Sequence, residues 1–344
     1  MIGRTNSGGG GGGVNVIIDG EKFEEKELNL ERDCISETFS SNSVLNYHHR
    51  RSHACFLDDD NILYYCATYS ESISSEGNFY FFIADLNKSS IAVKLSLPNS
   101  SSPSAIHKIN GDIYLFFGFI VYKYDKSSQT FTQVTTSGLT YLSFNQQNST
   151  INDDGSIVYI HGYANAGSGS EWSLISFDGT TYTILGNVNN YVNANIIYND
   201  GLIYLVDRNT SNVAYYNTKN CNFTETQIGY KVNNRGMQGG LFKYCNRIYG
   251  MHLNEQIPTY FWMVSEGYRI SFSKLDVNSK TFSETYEIDK LIPSTYDNDS
   301  SSNMLVNYSS NNSWIAYIKC KYANSNYFYA PNETKSIVYR EKVN

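Results

Sequence analysis

The chain has 344 residues, of which 41% are apolar and 17% are charged, and its formal net charge is −7. Its 30 tyrosines and 18 phenylalanines, set against few charged residues, favour strands over helices. The acidic balance excludes nucleic acid as an expected partner, because phosphates select a basic stripe. No basic cluster is larger than residues 48–51, so an anionic membrane is not an expected partner either.

Six cysteines are scattered along the chain without CxxC spacing and without a nearby His to complete a zinc set. We therefore expect buried reduced thiols, no metal and no cofactor. The first residues, MIGRTNSGGGGGG, lack the apolar segment of a secretory signal. The longest apolar run, residues 113–122, is too short to cross a bilayer as a helix. A cytoplasmic protein is expected, with secretion as the less favoured alternative.

In chain order, residues 1–13 predict a flexible Gly-rich tail. Residues 14–46 predict an N-terminal hairpin followed by a polar connector. The hairpin covers residues 14–28 and turns at Asp19-Gly20, a dipeptide that tolerates the positive φ of a tight turn. Residues 47–344 form the main domain.

A unit of four short strands recurs through that domain. Its clearest copy is residues 191–226, where runs rich in Ile, Val and Tyr are bounded by Asn, Asp, Gly or Thr, with Asn199-Asp200-Gly201 as a hairpin turn. The second strands recur roughly every 45 to 50 residues, with one longer interval before the last, as expected for blades of a β-propeller. They begin near Asn61, Asp112, Ser156, Leu202, Arg247 and Ser313.

The end of each unit carries a second signature, in which Tyr-Asp or a related pair ends the third strand and an aromatic residue follows in the fourth. Tyr124-Asp125 followed by Phe131 is one example. This pattern resembles Kelch-type propellers and the related central domain of galactose oxidase. The Gly-Gly doublet of that family is represented only by the single residues Gly118 and Gly162. Its fourth-strand Trp is replaced by Phe131, Tyr182, Phe223 and Phe282.

The repeat predicts an all-β chain folded as a single β-propeller, and its six units predict six four-stranded blades. Seven blades are the alternative, if the hairpin at residues 14–28 finds two more strands. That hairpin is expected to pack against the final unit near residues 314–320. There it would help to close the ring and protect an exposed edge strand.

Catalytic motifs are missing from the sequence. The six histidines form no HExxH, there is no GxSxG, and Asp153-Asp154-Gly155 lacks the Trp of a sialidase turn. The copper ligands of the oxidase relatives have no matching local motif. We therefore expect that the chain is not an enzyme.

Residues 252–269 are the first candidate for a partner-binding surface. They place Tyr260, Phe261 and Trp262 close together, followed by Arg269. Aromatic residues and Arg dominate the energetic centres of protein interfaces, so this segment predicts a projection that binds a protein or peptide. The alternative is an ordinary strand with alternate residues packed inward.

Residues 162–172, GYANAGSGSEW, are the second candidate. Tyr163 and Trp172 flank a mobile polar loop, an arrangement that suits stacking of a carbohydrate. The alternative is a core Trp at the start of the next strand.

A third candidate joins Arg50, Arg51 and His53, near the start of the first unit's inner strand, with Arg235 of the fifth unit. Together they predict a cationic funnel for an acidic peptide or anion. The alternative is a solvated rim.

Two functions follow from these candidates. The first is a non-catalytic, Kelch-like scaffold that binds proteins or peptides through its loop face. The second is a lectin-like propeller that binds glycans.

Overall fold

The computed structural model describes the strands, their short connections and two 3-10 turns in the ranges that follow. The described residues are 15–18, 21–28, 48–58, 60, 62–70, 78–85, 90–99, 101, 103–167, 169–192, 194–207, 213–226, 241–244, 247–256, 268–276, 278–279, 281–292, 304–308, 314–319 and 336–341.

The strands in chain order are β1 (Asn15–Ile18), β2 (Glu21–Leu28), β3 (His48–Leu57), β4 (Ile62–Ser70), β5 (Asn78–Asp85), β6 (Ser90–Ser96), β7 (Ala105–Ile109), β8 (Asp112–Phe117), β9 (Ile120–Asp125), β10 (Thr130–Val134), β11 (Tyr141–Ser143), β12 (Ser149–Ile151), β13 (Val158–Asn165), β14 (Ser170–Phe177), β15 (Tyr182–Asn187), β16 (Ala194–Asn199), β17 (Leu202–Asp207), β18 (Val213–Asn217), β19 (Asn222–Thr226), β20 (Leu241–Tyr244), β21 (Arg247–Gln256), β22 (Tyr268–Asp276), β23 (Thr281–Ile292), β24 (Met304–Tyr308), β25 (Trp314–Lys319) and β26 (Ser336–Glu341). The 3-10 turns are Gln146–Asn148 and Asn189–Tyr191. No helix in the described ranges is long and apolar enough to cross a membrane.

These strands form six antiparallel sheets, which we number along the chain. The first sheet is β3–β6, the second β7–β10, the third β11–β15, the fourth β16–β19 and the fifth β20–β23. The sixth has the order β1-β2-β26-β25-β24. Tight turns join the first and second strands, as predicted. In one of them Asn110 and Gly111 have φ values of 50° and 90°, and two consecutive positive φ values match the twist of a β-hairpin.

The first strands of neighbouring sheets contact one another around a ring. β3 contacts β7 on one side and β24 on the other, β16 contacts β12 and β20, and β20 contacts β24. Between the second and third sheets the backbone N–H of Asn110 donates to the carbonyl of Gly155 at 2.9 Å. The chain is therefore a single all-β propeller, as the repeat predicted.

Apolar clusters between neighbouring sheets explain why the aromatic residue recurs in the fourth strand. Phe131 lies directly opposite Tyr124, and Tyr182 lies opposite Phe177 with ring centroids 4.5 Å apart. Phe81 of the first sheet also reaches Tyr124, at 5.1 Å. Each pair therefore stabilises its own hairpin and the contact with a neighbouring sheet, since aromatic side chains bury large apolar areas.

The acidic residue of the repeat closes the turn between the third and fourth strands. The Asp178 carboxylate accepts the backbone N–H groups of Thr181 at 2.8 Å and Thr180 at 2.9 Å, and these bonds lower its pKa. At Asp125 the hydroxyl and backbone N–H of Ser127 lead a similar set of bonds, which lowers the pKa to about 2. The equivalent acceptors in the fourth and fifth sheets are Asn217 and Asp276. In each of these turns a side-chain oxygen of Asp or Asn therefore accepts backbone N–H groups, as a backbone carbonyl does in an ordinary turn.

Two glycines near the doublet position of the repeat make room for one segment of the chain. A Cβ added to Gly118, where φ is +64°, would collide with the carbonyl oxygen of Leu142. A Cβ on Gly162 would lie 2.8 Å from Leu142 Cδ1 and 3.0 Å from Ser143 O. Residues 142–144 therefore pass closely over both the second and the third sheet.

We expect Gly118→Ala to destabilise the protein more than Gly111→Ala. Both positions have positive φ, but nothing lies within 4 Å of a Cβ at Gly111. The backbone conformation alone costs about 1–2 kcal/mol at either site, and the collision with Leu142 adds about 1–3 kcal/mol at Gly118. Urea unfolding midpoints measure the difference. Equal midpoints for the two variants would contradict the close approach of Leu142.

The N-terminal hairpin joins the sixth sheet, as expected, although through a different strand. β2 pairs with β26, from Phe23 opposite Glu341 to Leu28 opposite Ser336, and β25 lies beyond β26. Strands from both ends of the sequence thus share one sheet, and the main-chain hydrogen bonds between them close the ring.

Deleting residues 1–28 is therefore expected to lower the melting temperature clearly, because β26 loses its hydrogen-bonded neighbour and becomes an exposed edge. Deleting residues 1–12 leaves both hairpin strands in place and serves as the control. Thermal unfolding followed by circular dichroism compares the two truncations. The closing role fails if their melting temperatures agree.

Candidate functional site

The first strand of the third sheet is divided into two parts. β11 pairs with the distal half of β13, with Tyr141 opposite Asn165, and β12 pairs with the half that begins at Val158. The 3-10 turn Gln146–Asn148 lies between them. This division places β11 at the end of the sheet that carries the loop between β13 and β14.

Side-chain amides hold the 3-10 turn against two neighbouring sheets. Gln146 Oε1 accepts the backbone N–H of Ile106 at 2.7 Å, and its Nε2 donates to the carbonyl of the same residue at 3.3 Å. On the other side, Asn148 Nδ2 donates to the carbonyl of Ala194 at 2.5 Å. These bonds satisfy main-chain groups of β7 and β16, which are the first strands of the second and fourth sheets.

A buried Ser–His contact lies just below this turn. His107 Nε2 is 2.8 Å from Ser149 Oγ, and that hydroxyl donates to the carbonyl of Gln146 at 2.9 Å. Because the hydroxyl proton is used on Gln146, the imidazole Nε2 carries the proton that completes the contact. Burial lowers the pKa of His107 to about 3, so the ring is neutral. Such a pair connects two sheets and does not activate Ser149 as a nucleophile.

We expect the protein to lose stability as the pH falls below 6.5, with His107 as one cause. Its pKa is 6.5 in the unfolded chain and about 3 in the fold, so the unfolded state binds the extra proton throughout that window. The loss is at most about 1.4 kcal/mol per pH unit.

His107→Gln, which keeps a side-chain donor, should flatten this part of the stability profile. Chemical unfolding at pH 7.5, 6, 5 and 4 compares the two proteins, and the wild-type profile above pH 7 provides the baseline. Parallel profiles for wild type and variant would show that His107 does not titrate as described.

Three aromatic side chains form a row at the loop end of the third sheet; we call Tyr141, Tyr163 and Trp172 the aromatic row. The ring centroids of Tyr141 and Tyr163 are 6.5 Å apart, and those of Tyr163 and Trp172 are 5.8 Å apart. Tyr141 is 46% exposed and Tyr163 is 39% exposed, whereas Trp172 is half-buried. Exposed aromatic side chains in adjacent positions are the most prominent apolar feature of this end of the sheet.

The row is supported from below and from the side. The buried His161 ring stacks on Trp172 with centroids 5.1 Å apart, and His161 Nδ1 is 3.2 Å from the carbonyl of Ala194. The backbone N–H of Trp172 donates to Asn189 Oδ1 at 3.1 Å, and its carbonyl accepts the N–H of Val188 at 2.8 Å. The indole is therefore fixed by main-chain bonds and by a buried ring.

Few charged residues occur in the chain segments that carry the row and its supports. Asn187 Nδ2 donates to the Glu171 carboxylate, and Asn187 Oδ1 accepts the backbone N–H of Asn189 at 3.0 Å. Glu171 is the one Asp, Glu, Lys or Arg in residues 139–149, 161–172 and 185–195. In the described residues no group of three His, Cys, Asp or Glu side chains is arranged to hold a metal ion.

The structure brings together two residues of the carbohydrate candidate, Tyr163 and Trp172. They lie directly opposite each other in β13 and β14, so both belong to strands, and the connecting loop is shorter than residues 162–172. Tyr141 was not identified from the sequence. The strand Tyr141–Ser143 has only three residues, too few for a sequence pattern to define a strand.

The other candidates are only partly within the described residues. Arg51 pairs with Thr68 in β3, and the register shifts on either side of this part of the strand fall at Arg50 and His53. Arg269 lies in β22 opposite Leu291. The remaining predicted residues lie outside the described ranges: Tyr260, Phe261, Trp262 and Arg235.

Comparison with known proteins finds likeness in fold alone. No family model and no curated protein matches the sequence. The fold is similar to regucalcin, a calcium-binding protein from Agrobacterium tumefaciens, with a TM-score of 0.52 and 11% identity over 86% of this chain and 91% of that one. It is similar to luciferin-regenerating enzyme with a TM-score of 0.51 and 10% identity over 86% and 92% of the two chains.

The expectation that the chain is not an enzyme, drawn from its missing catalytic motifs, is wrong, because this fold is shared with an enzyme and the missing motifs do not exclude catalysis. Luciferin-regenerating enzyme has a propeller similar to this one. The sequence argument failed because it tested for the local motifs of unrelated enzyme families, whereas a propeller can assemble catalytic groups from several loops. The Kelch-type resemblance rests on the repeat alone.

Proposed function

We propose that this protein is a six-bladed propeller that binds carbohydrate at the aromatic row of its third sheet. The observation that carries the proposal is the cluster of Tyr141, Tyr163 and Trp172, with two rings exposed and the third fixed beside them. The count of six blades is supported by the six sheets and by the contacts between their first strands.

The chemistry of the row suits a neutral sugar. One face of a pyranose ring presents C–H groups, which pack against the face of an aromatic ring, while its hydroxyls bond to polar groups at the edge. Asn189 supplies an amide beside the row, where its Oδ1 accepts the backbone N–H of Trp172. Glu171 alternates with Trp172 along β14, so its carboxylate and the Asn187 amide bonded to it lie on the opposite face of the sheet. An acidic polymer or nucleic acid would find no Lys or Arg in the three segments that surround the row.

The side chains of the row are held on a rigid support, which favours ligand binding at this position. Tyr163 and Trp172 project from paired strands, so little side-chain and backbone freedom is lost when a ligand binds. The 3-10 turn that positions β11 is bonded to two other sheets through Gln146 and Asn148. A ligand would therefore meet a preformed surface.

A protein-interaction scaffold is the second candidate function, and the exposure of Tyr141 and Tyr163 favours it. Exposed Tyr is a frequent energetic centre of protein interfaces. In this case the partner is a protein or peptide, and a cytoplasmic location belongs to the same proposal. The aromatic segment at residues 252–269, which the sequence predicts as a partner-binding projection, belongs to this second proposal.

Binding of neutral oligosaccharides, measured by calorimetry on the full chain, tests the primary proposal. We expect Tyr163→Ala to weaken binding about tenfold, a loss of about 1.4 kcal/mol. The matched control is Ile184→Ala, because Ile184 is also exposed, at 42%, and lies in the third sheet away from the row. Its affinity should equal that of wild type.

The same incubations are analysed for cleavage or modification of the sugar, since the fold is shared with an enzyme. If wild type binds neither soluble oligosaccharides nor insoluble polysaccharides, the carbohydrate function is rejected. Equal losses in Tyr163→Ala and Ile184→Ala would place the ligand elsewhere on the ring.

A further inference from the structure

We infer that the aromatic row is a site with several sugar positions for one twisted, soluble chain of a neutral linear glycan. This inference rests on the proposed carbohydrate function and specifies its ligand. The alternatives that it excludes are a single monosaccharide and the flat surface of a crystalline polysaccharide.

The extent of the row indicates more than one sugar position. Its three rings come from three hydrogen-bonded strands, β11, β13 and β14, so the row runs across the sheet. Successive centroids are separated by 6.5 Å and 5.8 Å, somewhat more than the roughly 4.8 Å between neighbouring strands. One pyranose covers about one aromatic side chain, so consecutive units of a linear glycan can each occupy a ring.

The angles between the rings indicate a twisted chain. The planes of Tyr141 and Tyr163 are inclined by 84°, and those of Tyr163 and Trp172 by 54°. A flat crystalline surface presents parallel sugar faces and requires aromatic rings in one plane. Rings that turn from one strand to the next match a chain that turns along its length. The twist of the sheet contributes to this turning.

The three positions differ in how firmly they are held. His161 covers one face of the Trp172 indole, and Asn189 binds its main chain, so Trp172 is the fixed position. Tyr163 lies directly opposite it and forms the centre of the row. Tyr141 is the most exposed of the three, at 46%. We therefore assign Tyr163 and Trp172 to the two main sugar positions and Tyr141 to an outer position that only longer chains reach.

The scarcity of charged residues around the row further restricts the class of glycan that can bind. Glu171 is bonded to Asn187, and residues 139–149, 161–172 and 185–195 contain no Lys or Arg. Sulfated chains and uronic acid polymers carry repeated negative charges that need cationic partners. A chain of neutral hexoses or N-acetylhexosamines needs none.

The test uses the full chain and four soluble series, each from one to six units: β-1,4-gluco-, β-1,3-gluco-, α-1,4-gluco- and chito-oligosaccharides. Calorimetry measures Kd for each length. For the series that binds, Kd should fall about tenfold between one and three units and then level off, because the row is full. Sedimentation with crystalline cellulose and crystalline chitin provides the insoluble arm, where no binding is expected.

Two variants assign the positions. Tyr141→Ala should reduce the affinity for three units to that for two and leave the affinity for two unchanged. Tyr163→Ala should weaken every length, and Ile184→Ala should change none.

Each remaining outcome has a distinct meaning. An affinity independent of chain length, or binding to a crystalline polymer alone, overturns the inference and leaves the carbohydrate function standing. A uniform effect of Tyr141→Ala on all lengths overturns the assignment of an outer position. Failure of every oligosaccharide and polymer to bind rejects the carbohydrate function itself, and this inference with it.

Discussion

The side-chain amides of Gln146 and Asn148 provide the constraint on which the candidate site depends. The first strand of each sheet faces the ring's centre with an edge whose main-chain groups need partners. Gln146 supplies both a donor and an acceptor to Ile106, and Asn148 supplies a donor to Ala194. One short turn thereby joins three sheets. Because its position is fixed from two sides, the chain before it can leave the regular path of a first strand and form β11.

The displaced strand gives this part of the ring its exposed aromatic surface. The path of β11 requires glycine at positions 118 and 162. A Cβ atom at Gly118 or Gly162 would collide with atoms of Leu142 or Ser143. In return, β11 extends the sheet past the end of β12 and brings Tyr141 beside Tyr163. The buried side of the same strand contributes Leu142, and the following residue Phe144 joins it in the core between the second and third sheets. Core packing of Leu142 on one face and exposure of Tyr141 on the other thus result from one rearrangement.

The fold by itself says little about the chemistry that this ring performs. Two proteins that resemble this fold to almost the same degree are a calcium-binding protein and an enzyme. Function therefore follows from the groups that each chain places on its loops. In this chain the described loop end of the third sheet carries the aromatic row and the Asn189 amide, and the Glu171 carboxylate lies on the opposite face. A preformed surface of this composition is suited to neutral ligands with a C–H face and hydroxyl edges. The buried contact of His107 with Ser149 belongs to the structure of the ring.

The sequence by itself determined the parts of the fold that depend on near neighbours. Strand runs, the Asn110-Gly111 turn, the Asp178 turn and the pairing of Phe177 with Tyr182 all involve residues a few positions apart, where side-chain periodicity and turn chemistry act directly. The hairpin at the N-terminus was readable for the same reason, and Tyr163 and Trp172 could be proposed together because one short loop separates them. Only the tertiary structure decided how the first strand of the third sheet is divided, since Gln146 finds its partner 40 residues away and Asn148 finds its partner 46 residues away. Such partners come from neighbouring sheets, whose placement is set by packing around the whole ring, and no local pattern encodes it.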